Sequence, residues 1–191
     1  IIKVIMSKKI CIILARGGSK RIPGKNIKLF HGKPIIYYPI KVALESKIFD
    51  RVIVSTDCKK IKNIAEGYGA DVPFLRSKEN SADSASTMDA LRETCKKIKL
   101  KSNDYVLCMY GTSVFSNKTD IIEGFKLLQD KNCKNVIPVI KYSYPVWRSG
   151  TIEQNNYFNM LYPKYVNYNS QDLKSVFHDC GQWYWWKGSE I

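Results

Sequence analysis

Positive side chains and glycines are concentrated in one short stretch near the start of the chain. Residues 16 to 25, here called the cationic loop, hold four cations: Arg16, Lys20, Arg21 and Lys25. Adjacent glycines leave backbone N–H groups unobstructed, and N–H groups with Arg and Lys side chains bind several phosphate oxygens at once. We therefore predict a polyphosphate site in which Arg16 and Lys25 contact the phosphates. The N–H groups around them would come from Gly17, Gly18 and Ser19.

Two common phosphate-binding motifs do not match this loop. A P-loop needs Ser or Thr after its Gly-Lys pair, whereas Gly24-Lys25 is followed by Asn26, and Ser19 stands where its first glycine is required. The adjacent glycines also fail the spaced-glycine dinucleotide pattern. The remaining alternatives are a polyphosphate cradle of another type and a basic, glycine-rich surface loop in which Lys25 is simply solvated.

An alternation of strand and helix patterns positions the loop. The apolar run from Ile10 to Ala15 predicts a buried strand that ends where the cationic loop begins. The other predicted strands are 51–55, 105–110 and 136–140, and the predicted helices are 35–48, 58–67, 87–98 and 119–128. This order predicts an α/β fold with three layers, a mostly parallel sheet between helices. Residues 142–175 have no helix period and predict a loop and hairpin insertion that lines the cleft or forms a dimer arm.

Polar residues follow three of the predicted strands. Ligands of open parallel sheets bind at the carboxyl ends of the strands, so Arg16, Asp57 and Thr112 are expected to converge on one cleft. Asp57 is our only candidate metal ligand, for Mg²⁺, and it could instead hold a hydroxyl group. The alternative is that Asp57 caps the helix that follows it, since Asp is a common N-cap.

The composition of the chain limits which ligands, metals and macromolecular partners are expected. The 191 residues carry a net charge of +14, which suits anionic ligands, but no Arg-rich tract or aromatic RNA-binding run occurs, so we expect no nucleic-acid partner. Six cysteines without Cys-x-x-Cys spacing and two histidines argue against a zinc site. Unpaired thiols predict a cytoplasmic protein, and the lack of a long apolar run predicts no membrane partner.

The stretch Leu14-Ala15-Arg16-Gly17-Gly18-Ser19-Lys20-Arg21-Ile22-Pro23-Gly24-Lys25-Asn26 resembles the signature loop of the acylneuraminate cytidylyltransferases, the CMP-sialic acid synthetase family. No internal repeat or low-complexity linker is visible, so we expect a single domain, residues 10–191. The resemblance implies that this domain is of the Rossmann-like nucleotide-diphospho-sugar transferase type. It implies a Mg²⁺-dependent enzyme that joins CMP from CTP to a nine-carbon sugar acid and releases pyrophosphate. It also implies Arg16 and Lys25 as the catalytic contacts to the triphosphate. The nucleotide-binding residues predicted in this loop are Leu14, Ala15, Gly17, Gly18, Ser19, Lys20 and Asn26.

Two further stretches are similar to nucleotide contacts of that family. Residues 75–81 resemble its Arg-Pro-x-Glu-Leu-Ser stretch, which implies nucleotide contacts at Arg76 and Ser81, although Ser77 and Asn80 depart from the pattern. Thr112 lies where the family has a Pro-Thr-Ser type of turn beside the base. Gly111 replaces a proline often found in that turn.

The C-terminal third indicates which sugar is used. Ser170-Gln171-Asp172-Leu173 and Phe177-His178-Asp179-Cys180-Gly181-Gln182-Trp183-Tyr184-Trp185 resemble the pseudaminic acid branch of the family. The resemblance implies sugar contacts at Gln171, Asp172, Gln182 and Tyr184. The alternative for residues 183–186 is a core strand, in which two of the four side chains face inward by alternation.

Rival interpretations remain open from the sequence. The same reaction could use N-acetylneuraminate or legionaminate. The family's acidic metal motif near the C-terminus does not occur before Ile191, so we expect either a C-terminally incomplete chain or a metal held otherwise. The missing motif also allows an inactive nucleotide-binding homologue. We expect a homodimer.

Overall fold

A computed structural model describes residues 7–129 and 133–191. The strands are β1 Lys9–Leu14, β2 Leu29–Phe30, β3 Lys33–Pro34, β4 Arg51–Ser55, β5 Tyr105–Tyr110, β6 Asn135–Val136, β7 Val139–Lys141, β8 Gly150–Ile152, β9 Phe158–Met160, β10 Phe177–Asp179 and β11 Trp183–Lys187. The helices are α1 Tyr37–Ser46, α2 Lys59–Gly67, α3 Thr87–Lys97 and α4 Lys118–Leu128. The chain forms two compact units, one of residues up to Pro138 together with Gly181–Ile191, the other Val139–Cys180.

A five-stranded sheet in the order β4-β1-β5-β11-β6 forms the centre of the first unit. Strand β1 is parallel to β4 and to β5, whereas β11 is antiparallel to both of its neighbours. Leu14 pairs with Ser55 on one side and with Tyr110 on the other, so three parallel strands end at the same level. The cationic loop therefore leaves the sheet beside the segments that follow β4 and β5.

Helices cover both faces of this sheet. On β1, Cys11 and Ile13 pack in one buried cluster with residues of α1, α2 and α4, while Ile10 and Ile12 pack in another with Leu91 and Cys95 of α3. Alternate side chains of a strand point to opposite faces, so a strand covered on both sides is apolar throughout. The predicted three-layer α/β fold is confirmed.

The aromatic run at the end of the chain forms the antiparallel strand of the sheet. Trp183 and Trp185 are buried against the layer of three helices, and the Trp185 indole N–H donates to the Ile121 carbonyl at 3.0 Å. Tyr184 and Trp186 are half-buried on the opposite face. The predicted alternation, with two of the four side chains inward, is confirmed.

One predicted strand, 136–140, is wrong. Asn135–Val136 pairs with β11 in the central sheet, whereas Val139–Lys141 pairs with β10 in the second unit. Pro138 lies between the two pieces, and a proline has no N–H to donate to a strand ladder.

The second unit, Val139–Cys180, contains the predicted insertion 142–175. It has two ribbons of two antiparallel strands, β7 with β10 and β8 with β9. Across residues 7–129 and 133–191, no helix has the length and apolar character needed to cross a membrane.

Candidate active site

A cleft of about 350 Å³ opens where β1 and β5 end in the first unit. Its walls come from the cationic loop, from residues 76–86 (the Arg76 loop), from the start of α3 and from the end of β5. The lining residues are Leu14, Arg16, Ser19, Lys25, Asn26, Arg76, Asn80, Ala82, Asp83, Ala85, Ser86, Thr87, Ala90, Tyr110, Gly111 and Thr112. Seven of the predicted site residues therefore line one cavity: Leu14, Arg16, Ser19, Lys25, Asn26, Arg76 and Thr112.

The cations of the loop meet a carboxylate in this cleft. Asp83 pairs with Arg16 at 2.8 Å and with Lys20 at 2.5 Å. The hydrogen bond from Lys20, reinforced by Arg16, holds the pKa of the Asp83 carboxyl below its usual range. The Asp83 carboxylate thus lies between two side chains that were predicted from the sequence to bind phosphate. Asp83 itself was missed, because a single Asp in a polar loop has no distinguishing pattern.

Close packing rather than an unusual backbone angle explains Gly17. A Cβ on Gly17 would lie 2.8 Å from the Cβ of Cys58, and the Gly17 N–H donates to Asp57 Oδ1 at 2.8 Å. The Ser19 N–H donates to the Gly17 carbonyl at 3.0 Å. These two N–H groups, predicted to surround the phosphates, therefore already have acceptors within the protein. Gly18 lies on the exposed side of the loop.

The alternative interpretation of Asp57, as the cap of the helix that follows it, is wrong. Helix α2 begins at Lys59 with Cys58 as its N-cap, and the Cys58 N–H donates to the Thr56 hydroxyl at 3.1 Å. The Asp57 carboxylate is instead used to hold the start of the cationic loop through Gly17. Asp57 thus connects the ends of β1 and β4, which is where the strand pattern placed it.

Asn26 fixes the far end of the loop against the sheet. It is buried, and its side-chain amide donates to the Arg16 carbonyl at 2.8 Å. A Cβ on Gly111 would lie 2.6 Å from Asn26 Oδ1, and the Gly111 N–H donates to the Leu14 carbonyl at 3.0 Å. The family pattern often has proline at this position. A proline here would fill the space beside Asn26 and would lack the N–H that donates to Leu14, which explains the glycine at 111. Ala15, next to Arg16, is fully buried.

Arg76 and Ser81 form the opposite wall. The buried Arg76 donates through Nε to the Ser81 hydroxyl at 3.1 Å, and its backbone N–H donates to the Thr56 carbonyl at 2.8 Å. Burial lowers the pKa of the Arg76 guanidinium, and the carboxylates of Asp57 and Glu93 oppose that shift. Arg16 also reaches the Ser81 carbonyl, at 3.5 Å. Ser81 therefore accepts hydrogen bonds from both arginines without itself lining the cleft.

The start of α3 contributes residues that the sequence analysis missed. Ser86 caps this helix, accepting from the Asp89 N–H at 3.1 Å while Asp89 accepts from the Ser86 N–H at 2.9 Å. The Thr87 hydroxyl lies 3.3 Å from that of Tyr110 at the end of β5. The Ser-x-x-Asp capping pattern was a signal in the sequence that could have located this wall.

The predicted sugar contacts lie in different units. In the first unit, Gln182 Oε1 accepts from the Phe115 N–H at 3.3 Å, and the Tyr184 ring packs edge-on against Tyr110 at 5.8 Å. In the second unit, Gln171 and Asp172 are exposed. Gln171 borders a separate cavity of about 350 Å³ that is also lined by Lys141 and Lys174.

Residues 7–129 and 133–191 contain no group of three or more His, Cys, Asp or Glu side chains that could hold a metal. Mg²⁺ commonly takes only one or two protein carboxylates and completes its coordination with substrate phosphates and water. Asp57, whose carboxylate accepts a hydrogen bond from the Gly17 N–H at the start of the cationic loop, has the donor chemistry for such a partial site.

A three-layer α/β fold with a cation-lined cleft at the strand ends is typical of proteins that bind nucleotide phosphates. A family model described as Cytidylyltransferase matches residues 10–182. The chain is 38% identical over 179 residues to pseudaminic acid cytidylyltransferase of Campylobacter jejuni strain 81-176, covering 93% of this chain and 77% of that protein. It is 35% identical to CMP-N,N'-diacetyllegionaminic acid synthase of Legionella pneumophila, covering 77% of this chain and 64% of that protein.

Among solved structures, CMP:2-keto-3-deoxy-manno-octonic acid synthetase in complex with CTP superimposes with a TM-score of 0.74 at 20% identity, covering 96% of this chain and 76% of that one. This likeness shows the shared fold. The family match shows more: the chain belongs to the cytidylyltransferase family, and it is a nucleotidyltransferase.

Proposed function

We propose that this enzyme transfers CMP from CTP to pseudaminic acid and releases pyrophosphate. The observation that supports the nucleotide half is the cleft that Arg16, Lys25 and Arg76 line together, in which Arg16 already pairs with the Asp83 carboxylate. The sugar half is supported by the 38% identity to an enzyme named for pseudaminic acid.

The side chains of the cleft fit what the reaction demands. The sugar hydroxyl attacks the α-phosphorus of CTP, the bond from that phosphorus to the bridging oxygen of pyrophosphate breaks, and the hydroxyl proton is released to water. Such phosphoryl chemistry depends on positioning and on neutralising the phosphate charge. Arg16 and Lys25 would neutralise the triphosphate, while Asn26 and Asp57 hold the two ends of the loop in place.

Magnesium is part of this proposal. When bound, Mg²⁺ would neutralise charge on the leaving pyrophosphate. Asp57 would hold it together with the phosphate oxygens. Replacing Asp57 by Asn should raise the Mg²⁺ concentration needed for half-maximal activity, and an unchanged requirement would remove Asp57 from the metal site.

A pyrophosphate-release assay with CTP and three sugar acids tests the substrate. We expect turnover with pseudaminic acid to exceed that with N-acetylneuraminate and with legionaminate at equal concentrations. A clear preference for either of the other two acids would reject our choice of sugar while leaving the cytidylyltransferase reaction in place.

An inactive nucleotide-binding homologue is the alternative that the sequence analysis left open. Calorimetry with CTP in the presence of Mg²⁺ separates the two candidates. Binding of CTP without pyrophosphate release from any of the three acids would favour the inactive homologue.

We also propose a cytoplasmic homodimer. Six free cysteines fit a reducing compartment. The second unit exposes many large apolar side chains, among them Ile152 at 73% and Tyr157 at 69%, and apolar exposure on this scale is typical of an interaction surface. Light scattering should give a mass of two chains, and a monomer at micromolar concentration would contradict the dimer.

A further inference from the structure

Glu93 of α3 is a partly buried carboxylate that does not line the cleft. Its side chain is only 10% exposed. Its oxygens accept four hydrogen bonds: from the Ser77 N–H at 2.9 Å, the Ser77 hydroxyl at 2.7 Å, the Asn80 amide at 2.7 Å and the Lys97 ammonium at 2.7 Å. Three of the four donors belong to the Arg76 loop. Glu93 therefore connects that loop to the helix beneath it.

The four donors explain why a charged group is tolerated there. Burial alone would raise the pKa of Glu93, but the hydrogen bonds from Lys97, Ser77 and Asn80 outweigh it and lower the pKa from 4.5 to about 2. Buried carboxylates are costly unless their oxygens are satisfied, and removing one partner of such a network leaves the others unpaired. The carboxylate is thus ionised at every pH at which the enzyme would work.

The two partners of Glu93 in the Arg76 loop flank Arg76 and Ser81. Ser77 follows Arg76, and Asn80 precedes Ser81, which accepts hydrogen bonds from Arg76 and Arg16. Asn80 itself lines the cleft. A side chain that fixes Ser77 and Asn80 therefore also fixes the segment from which Arg76 reaches the nucleotide site.

Ser77 and Asn80 are also the two positions at which the sequence departs from the Arg-Pro-x-Glu-Leu-Ser stretch. At the position of Ser77 the pattern has proline, whose ring would restrict the backbone. In this chain the same segment is restricted by the hydrogen bonds that Ser77 and Asn80 donate to Glu93.

We propose that Glu93 is a positioning residue for nucleotide binding, which holds Arg76 and Ser81 in place through Ser77 and Asn80. The proposal rests on the proposed function for the identity of the nucleotide, CTP. It predicts a selective effect, because the loop forms only the nucleotide side of the site.

The test compares Glu93→Gln with Glu66→Gln, which removes the same charge from an exposed pair with Lys62 on α2. We expect Glu93→Gln to weaken CTP binding about tenfold by calorimetry and to raise the KM for CTP more than the KM for the sugar acid. In Glu93→Gln, hydrogen exchange of the backbone amides should become faster at residues 77–81, while other segments of the variant should exchange as in the wild type. Glu66→Gln should bind CTP as the wild type does.

A second variant keeps the test decisive if Glu93→Gln does not fold. Ser77→Ala combined with Asn80→Ala removes the two side-chain donors of the loop but leaves the bond from the backbone N–H of residue 77 and the Glu93–Lys97 pair. This variant should weaken CTP binding more than twofold. Folded variants that bind CTP within twofold of the wild type would overturn the proposal, as would equal increases in both KM values. If the wild type binds CTP but turns over none of the sugar acids, the proposed function is contradicted. The proposal for Glu93 is still tested in that case, because the effect of the variants on CTP binding can be measured without turnover.

Discussion

At the scale of single residues, Arg16 has the most direct relation to the proposed chemistry. It is the second residue after β1, it lines the cleft, and it already binds the Asp83 carboxylate at 2.8 Å. A guanidinium binds phosphate oxygens in the same way as it binds a carboxylate.

Replacing Arg16 by Ala should lower kcat/KM for CTP by roughly 100-fold or more, because one charge-assisted contact to the triphosphate is lost. The melting temperature should stay nearly unchanged, since the side chain is 35% exposed. Steady-state kinetics and a thermal scan measure both effects. The matched control is Arg92→Ala on the exposed face of α3, expected to stay within twofold. Unchanged kinetics for Arg16→Ala would remove Arg16 from the site.

Asp83 competes with the substrate for the same cations. Replacing it by Asn leaves Arg16 and Lys20 without their internal counter-ion, so CTP should bind about threefold tighter. Calorimetry at fixed Mg²⁺ measures the change. Weaker binding of CTP by Asp83→Asn would contradict the competition and would instead place the carboxylate among the metal or nucleotide contacts.

At the scale of elements, the cationic loop is held by contacts at both ends rather than by a regular motif. Gly17 packs against Cys58 and donates to Asp57, while Asn26 donates to the Arg16 carbonyl. The two adjacent glycines are consequently not equivalent. A Cβ on Gly17 would lie 2.8 Å from Cys58, whereas no atom of the described residues lies within 4 Å of a Cβ on Gly18, apart from its chain neighbours.

Gly17→Ala and Gly18→Ala form a matched pair for this element. We expect Gly17→Ala to destabilise the protein by about 1–3 kcal/mol, because the added methyl group must displace the loop or α2. It should also lower kcat/KM for CTP at least tenfold, while Gly18→Ala should change neither quantity appreciably. Denaturant unfolding and kinetics give the comparison. Equal effects of the two substitutions would show that the close approach at Gly17 does not constrain the loop.

At the scale of the whole molecule, acid should destabilise the fold in a defined window. The folded-state pKa of Glu93 is about 2, below its ordinary 4.5, so its stabilisation is complete above pH 4.5 and is lost as the pH falls toward 2. Asp89, whose pKa is lowered chiefly by the Ser86 hydroxyl, acts in the same direction. Urea unfolding at a series of pH values should therefore show stability falling from pH 4.5 downward, and the fall should be shallower in Glu93→Gln. Identical slopes in the two proteins would contradict the shifted pKa.

Much of this architecture could be predicted from the sequence, for physical reasons that differ among its parts. The buried strands β1, β4 and β5 are apolar runs that end in polar residues, so both their existence and the position of the cleft were predictable. The predicted strand 136–140 was wrong because Pro138 divides an apolar run between two different sheets. Asp83 and Glu93 were missed because their roles depend on contacts with residues distant in sequence, which leave no local pattern.

A crystal structure of the enzyme soaked with CTP tests the central claim most directly. The account predicts the triphosphate within hydrogen-bond distance of Arg16 and Lys25 at the ends of β1 and β5, with Asp83 displaced from Arg16. A nucleotide bound elsewhere, with the cationic loop still closed on Asp83, would contradict it.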